Sequence, residues 1–278
     1  MRTKTVRIIE YFVIITLGLL MLYPILWLIS SSLKENSEIL SSSFSLIPKT
    51  VHFENYANGW RGFGGITFAT FFTNSLIVAS LTTLGTVISS VLVAYAFARL
   101  RFFGKDFWFA CMICTLMLPS QIVLLPQYVI FNKLGWINTF LPLIIPAFGG
   151  NAFFIFLVTQ FMKGLPLELD EAAIIDGCSR YSLFFRITLP LTSPAMITTI
   201  VIQFYWKWDE FLEPLLFLGR PERYTVSLAI KAFSDQTSTT EYGNMFAMST
   251  LALVPVFVIF LLFNKQLVEG ISTTGLKG

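Results

Sequence analysis

Long apolar runs separated by short polar gaps divide this chain from end to end. A helix rising about 1.5 Å per residue needs about 20 residues to cross about 30 Å of hydrocarbon. Six runs of roughly that length predict spans over Tyr11 to Ser30, Phe71 to Phe97, Phe107 to Phe131, Thr139 to Phe161, Ser193 to Leu218 and Met245 to Val268. They are apolar on every face and lack the alternation of membrane strands, so helices are expected rather than a barrel. The fifth run is the least apolar, because Lys207, Asp209, Glu210 and Glu213 fall in its second half.

Composition strengthens the same reading. With 55% hydrophobic residues, 13% charged residues and a mean hydropathy of +0.73 over 278 residues, a soluble core cannot hide the apolar surface. The expectation is an all-α integral membrane protein with six transmembrane helices. It forms a single transmembrane domain over 1–278, with an N-terminal span 11–30, an external loop 31–70, core spans 71–268 and a C-terminal cytoplasmic tail 269–278. The 31–70 stretch, with Ser41-Ser42-Ser43, Pro48 and the Gly62 to Gly65 cluster, reads as a loop cap. No internal repeat or low-complexity tract is visible.

Lys and Arg near span ends mark cytoplasmic loops. Arg2, Lys4 and Arg7 precede the first span, Arg99, Arg101 and Lys105 follow the second, Lys163, Arg180 and Arg186 follow the fourth, and Lys265 ends the sixth. The opposite gaps mix their basic residues with acids such as Glu35, Glu54, Glu222 and Glu241. Both termini are therefore expected in the cytoplasm. The first run is too long for a cleaved signal and reads as a retained span. A net charge of +3 with no basic run gives no footprint for nucleic acid.

The gap after the fourth span carries the strongest chemistry. Pro166 suits the first position of a helix, and Glu168, Asp170 and Glu171 lie in its opening turns, where the helix dipole favours acids. Leu165, Leu169, Ala172 and Ala173 recur at helical spacing, with small side chains at the centre of the apolar face. Gly177 is expected to stop the helix in a left-handed turn. Ser179 should cap a second short helix that Pro190 ends. The result is a cytoplasmic knob about 15 Å long, from about ten residues at about 1.5 Å each. A membrane-surface helix would show bulky anchors and a basic polar face. Alanines beside carboxylates instead fit a groove on another protein.

The pattern Glu171-Ala172-Ala173-x3-Gly177-x9-Ile187-x-Leu189-Pro190 resembles the EAA loop of permease subunits of binding-protein-dependent ABC importers. The chain is further similar to the carbohydrate-uptake branch, and to the smaller permease of maltose-type transporters. The likeness covers Pro48 with Phe53-Glu54-Asn55-Tyr56, Asn74-Ser75, Leu134-Gly135-x-x-Asn138-Thr139 and Asp176-Gly177. It continues through Trp208-Asp209-Glu210-Phe211 with Pro214-Leu215 to Gly270-x4-Gly275-Leu276-Lys277-Gly278. Asp209 stands where the family often has asparagine.

This resemblance implies a type I ABC importer transmembrane domain with a cytoplasmic EAA coupling helix, in a bacterial cell membrane. It implies a second permease subunit, a cytoplasmic ABC ATPase dimer and an extracellular or periplasmic solute-binding protein that delivers a sugar or oligosaccharide. By the same resemblance Glu171, Ala172, Ala173, Asp176, Gly177, Ile187, Leu189 and Pro190 couple to the ATPase, with Glu171 meeting a basic residue. Gly275, Leu276, Lys277 and Gly278 would reach toward the ATPase interface. No G-x-x-x-x-G-K-[ST] occurs, so no cofactor is expected on this chain, and ATP and Mg belong to the partner. The chain reads as a transport subunit and not an enzyme.

Ionisable groups within a span point to function by default. The run from Lys207 to Glu213 therefore reads either as a proton or substrate site, or as ion pairs lining a cavity, with Trp208, Asp209 and Glu210 as candidate cavity or subunit contacts. The C-x-x-C of Cys111 and Cys114 lies inside an apolar span and reads as packing, and His52 has no ligand partners nearby. Pro119, Pro126, Pro142 and Pro146 predict kinks or broken helices in the third and fourth spans. A different small polar cargo, such as glycerol phosphate or an amino acid, is the alternative within the class. A proton-coupled secondary transporter would leave the EAA helix without a purpose.

Overall fold

The computed structural model describes residues 4–41, 45–235 and 241–275. Its regular structure is helical, and the helices fall into two compact units, Met1–Thr70 with Ala229–Val254 and Phe71–Leu228 with Pro255–Gly278. Among the described residues four helices are long and apolar enough to cross a membrane, or six if each of two bent pairs counts as one span.

In the first unit, α1 (Lys4–Ser31) contains the predicted first span, and the 31–70 stretch folds two short helices, α2 (Asn36–Ser41) and α3 (Glu54–Arg61). Asn55 and Tyr56 hold that stretch down. The Asn55 amide donates to the carbonyls of Ser32 and Lys34 at 2.9 Å each, and the Tyr56 and Ser32 hydroxyls lie 2.8 Å apart. Gly59 of α3 allows close approach, because a Cβ there would meet Met248 Cε at 2.9 Å.

The second unit is organised by α4 (Phe68–Arg99), whose buried face from Ser75 onward sets small and hydroxylated residues, Ser75, Ala79, Thr82, Thr83, Thr86 and Ser90, beside the larger Val78, Val87, Val91 and Tyr95. Small faces let neighbouring membrane helices come close. Gly85 shows how close, since a Cβ on it would stand 2.6 Å from the Phe148 ring.

The predicted third span is broken into α5 (Lys105–Thr115) and α6 (Ser120–Lys133), bent by 95° where Pro119 precedes α6. The fourth is interrupted after α7 (Leu141–Ile144) by a 3-10 turn, Ile145–Gly149, before α8 (Ala152–Lys163). Pro142 and Pro146 remove backbone donors here, and α4 answers with hydroxyls. Thr82 donates to the Leu143 carbonyl at 3.1 Å and Ser89 to the Ala147 carbonyl at 3.0 Å. Such repair by Ser and Thr is what lets a broken helix persist away from water.

Two expectations are corrected. The fifth span does not run to Leu218: α12 (Ser193–Asp209) ends at Glu210, which is extended, and α13 (Leu212–Phe217) starts a new direction. In an unbroken helix the Pro214 ring would press on the Glu210 carbonyl; that carbonyl instead accepts from Ser227 Oγ at 2.5 Å. Nor does Pro190 end its helix. After α10 (Arg180–Leu183) a π turn, Phe184–Thr188, carries the chain into α11 (Leu189–Leu191) and, through a 66° bend, into α12. The wide turn bonds the Leu189 N–H to Phe184, five residues back, and carries the helix past Pro190 as far as Leu191.

Beyond α13, α14 (Val226–Asp235) and α15 (Tyr242–Gly275) complete the described chain. The sequence motifs around these breaks are turn-formers. Gly135 and Asn138 adopt φ of 69° and 62°, and the Asn138 N–H donates to the Phe217 carbonyl at 2.9 Å. Asn74 donates to the carbonyls of Glu222 and Tyr224, and Ser75 Oγ accepts from the Val226 N–H at 2.8 Å.

Candidate functional site

The loop after α8 forms a hard, short rod. α9 (Glu168–Ile175) begins with Glu168, Asp170 and Glu171 in its first turn, two residues later than Pro166 alone suggested. Its end is fixed by glycine. Gly177 has φ +80°, its N–H reaches the Ile174 carbonyl at 3.0 Å, and the next N–H, of Cys178, reaches Ala173 at 2.9 Å. This pair of bonds satisfies carbonyls that a helix end otherwise leaves open. Ser179 then accepts from the Ser182 N–H at 3.2 Å and starts α10.

α9 has two distinct faces. Asp170 and Ala173, three residues apart, turn into the protein, and Ala173 is only 5% exposed. Glu171, Ala172, Ile174 and Ile175 turn outward, with Ile175 84% exposed. Ala173 is therefore packed inside this chain, and Ala172 is the alanine left exposed. Tyr181, 81% exposed, extends the same apolar surface from α10. Ile187 and Leu189 are half-buried and Pro190 is exposed, so the distal part of the motif shapes the turn into α12.

What holds the rod was not singled out from sequence. Arg99, the last residue of α4, donates from Nη2 to the Leu165 carbonyl at 3.0 Å and places Nε 3.2 Å from Asp170 Oδ2. The Arg99 side chain is 4% exposed and that of Asp170 14%, so water screens the ionic contact little, while the hydrogen bond of the guanidinium goes to the Leu165 carbonyl. Beneath it, Val87, Val91 and Tyr95 of α4 pack with Val158 and Met162 of α8, and with Phe184 and Ala195. The Tyr95 and Phe184 ring centroids are 4.8 Å apart. The segment that carries the rod is thus packed against α4, α8 and α12.

A second feature lies within the spanning segments. A polar cleft with a cavity volume of 190 Å³ opens beside the broken helix. Thr82 and Thr86 of α4 line one wall and Gln203 and Lys207 of α12 another, with Asn151 and Glu213 closing it. Lys207 Nζ is 2.5 Å from Glu213 Oε2, so the charged run pairs internally as one reading anticipated. The three candidate contacts take other places. Trp208 is buried and stacks on Phe204 at 5.7 Å, the Glu210 carboxylate accepts the N–H groups of Leu212 and Glu213, and Asp209 is exposed. Thr86 and Gln203 escaped sequence reading because a buried hydroxyl or amide in an apolar run carries no distinctive spacing.

Among the described residues no group of three or more His, Cys, Asp or Glu is placed to hold a metal ion. Gly275 ends α15, and Leu276, Lys277 and Gly278 lie outside the described residues.

Comparison with known proteins agrees with this architecture. Residues 86–273 match the family described as binding-protein-dependent transport system inner membrane component. A probable ABC transporter permease protein, YurM of Bacillus subtilis (strain 168), is 35% identical over 92% of this chain and 84% of its own length. The arabinooligosaccharides transport system permease protein AraQ of the same organism is 34% identical over 94% of this chain and 92% of its own. A solved chain from a bacterial ABC transporter involved in alginate import superposes with a TM-score of 0.81 at 19% identity, covering 95% of this chain and 98% of that one, which is a likeness of fold. Matched over most of its length by the family and by these relatives, the chain belongs to the inner membrane components of binding-protein-dependent transport systems, as an ABC importer permease subunit.

Proposed function

We propose that this permease carries a sugar or oligosaccharide into the cytoplasm, paired with a second permease and driven by a cytoplasmic ATPase dimer on which the α9 rod docks. The observation that carries the docking is the outward face of α9 and α10, where Glu171, Ala172, Ile175 and Tyr181 stay exposed on a loop otherwise clamped by Arg99. An apolar patch flanked by carboxylates is the form of a protein contact with a basic partner. The carbohydrate assignment rests on AraQ, whose name states arabinooligosaccharides as its cargo. A solute-binding protein would deliver that cargo from outside, consistent with the family's description.

In this reading ATP-driven closure of the ATPase dimer draws the two rods together, and the attached spans rock between inward-open and outward-open states. Both termini and the rod lie on the cytoplasmic side. ATP and Mg are held by the ATPase and not by this chain. The direct test is cross-linking from cysteines placed at Ala172 and Ile175 in the assembled complex. Capture of the ATPase is the expected result, and failure at both positions would end the docking assignment. Cargo is tested by ATP-dependent uptake of a radiolabelled panel of arabinotriose, glycerol phosphate and an amino acid.

A further inference from the structure

The polar cleft beside the broken helix does more than relieve packing. Thr86 is 1% exposed and its hydroxyl has no hydrogen-bond partner, although it lines a cavity. A buried polar group left in that state costs free energy unless something occupies the space. Gln203, 3% exposed on the facing helix, adds an amide that both donates and accepts. Asn151 already spends its carbonyl oxygen on the N–H groups of Phe153 and Phe154, which leaves its amide N–H₂. Thr82 donates to Leu143 and keeps acceptor capacity.

Charge narrows the ligand. Lys207, the cation of the cleft, is already matched by Glu213 at 2.5 Å. A phosphate or carboxylate needs an unmatched cation or a fork of donors, and would have to break that pair. A neutral molecule bearing hydroxyl groups fits the mixed donors and acceptors without doing so. The volume of 190 Å³ far exceeds the ~10–15 Å³ one water requires and accommodates a single sugar ring. Position agrees as well, since Thr82 and Thr86 lie near the middle of the 32-residue α4 and face a discontinuous helix, the setting in which transporters hold solutes.

We infer that this cleft is a contact site of this subunit for one ring of an uncharged sugar in transit, with Thr86, Gln203 and Asn151 hydrogen-bonding its hydroxyls. The inference rests on the carbohydrate reading above and adds that this permease itself touches the cargo.

The test uses the whole complex, purified through a tag on this chain with its partner permease, ATPase and binding protein, and placed in proteoliposomes with radiolabelled arabinotriose as probe. Gln203→Leu and Thr86→Val should each lower uptake efficiency about tenfold, while binding-protein-stimulated ATP hydrolysis persists. Gln203→Asn should recover part of the loss. As a measurement independent of folding, Gln127→Cys at the cleft wall, with Cys111, Cys114 and Cys178 replaced by serine, should react several-fold more slowly with a neutral thiol reagent when arabinotriose is present. Uptake by a variant combining Gln203→Leu with Thr86→Val within about twofold of wild type, or a reaction rate indifferent to the sugar, overturns the inference while leaving the carbohydrate reading intact. Wild-type complex that hydrolyses ATP in response to its binding protein yet imports no sugar overturns both.

Discussion

Arg99 Nε stands 3.2 Å from Asp170 Oδ2, and the same guanidinium holds the Leu165 carbonyl at 3.0 Å, so the end of α4 and the first turn of α9 move as one piece. Under the docking proposed above, a push on the rod would reach the spanning helix α4 through this contact. Removing one partner of a buried ion pair costs about 3–5 kcal/mol, because the other charge is left without an answer. Arg99→Ala should therefore lower both uptake and the melting temperature. Arg99→Lys should keep the charge yet lose the planar guanidinium that reaches Leu165 and Asp170 at once, uncoupling ATP hydrolysis from transport. Parallel measurement of both activities in proteoliposomes checks this; wild-type coupling in Arg99→Ala would show the clamp to be idle.

The φ of +80° at Gly177 makes a second prediction. A left-handed conformation costs an ordinary residue about 1–2 kcal/mol, and a Cβ there meets nothing within 4 Å, so conformation alone sets the penalty. Gly177→Ala should reduce uptake modestly, and Gly177→Pro should abolish it while leaving the amount of this subunit in the membrane normal. Immunoblots beside uptake assays separate the two effects.

Reversal of charge on the exposed face is a third. Glu171 makes no ion pair among the described residues and points outward, so Glu171→Lys should leave the subunit folded and remove uptake by repelling the basic partner. Full transport in this variant would place the contact elsewhere.

Hydroxyls on α4 that serve the broken helix give a fourth. Thr82→Val and Ser89→Ala each remove a donor to a carbonyl freed near Pro142 and Pro146, at about 0.6–1.7 kcal/mol apiece by the range for interhelical bonds in membranes. Gly85→Leu should be worse, because the Phe148 ring already occupies the space, and overpacking costs about 1–3 kcal/mol. Thermal unfolding in detergent should rank Gly85→Leu as the least stable of the three.

The pairing of Lys207 with Glu213 gives a fifth. Lys207→Met and Glu213→Gln each strand a charge in the cleft, whereas the double variant strands neither. Stability of the double variant should exceed that expected from adding the singles, and a double-mutant cycle measures the excess. Additive losses would mean the two side chains act separately.

Much of this protein is legible along the chain because lipid makes strong demands. Hydrocarbon requires long apolar helices, so the spans stand out by length, and Glu171 through Gly177 stand out because a polar gap with a glycine stop has few other uses. Proline announced the breaks at 119, 142 and 146, whereas Pro126, expected to break or kink the third span with them, lies inside the α6 helix. The sequence alone could not say how a break is repaired or carried onward: that Glu210 would turn out of helix ahead of Pro214, or that a π turn would carry the chain past Pro190. Those outcomes depend on a hydroxyl or a wider turn being available at that point.

Sequence determined the class, the number of apolar runs and the family of this permease, since burial length and the motif are properties of neighbouring residues. Tertiary structure alone decided that Ala173 faces inward while Ala172 faces out, that Arg99 grips Asp170 across 71 positions, and that Thr86 and Gln203 share one cleft. Hydrophobic length is written locally, whereas the partner of a buried polar group is chosen by whichever helix packs beside it.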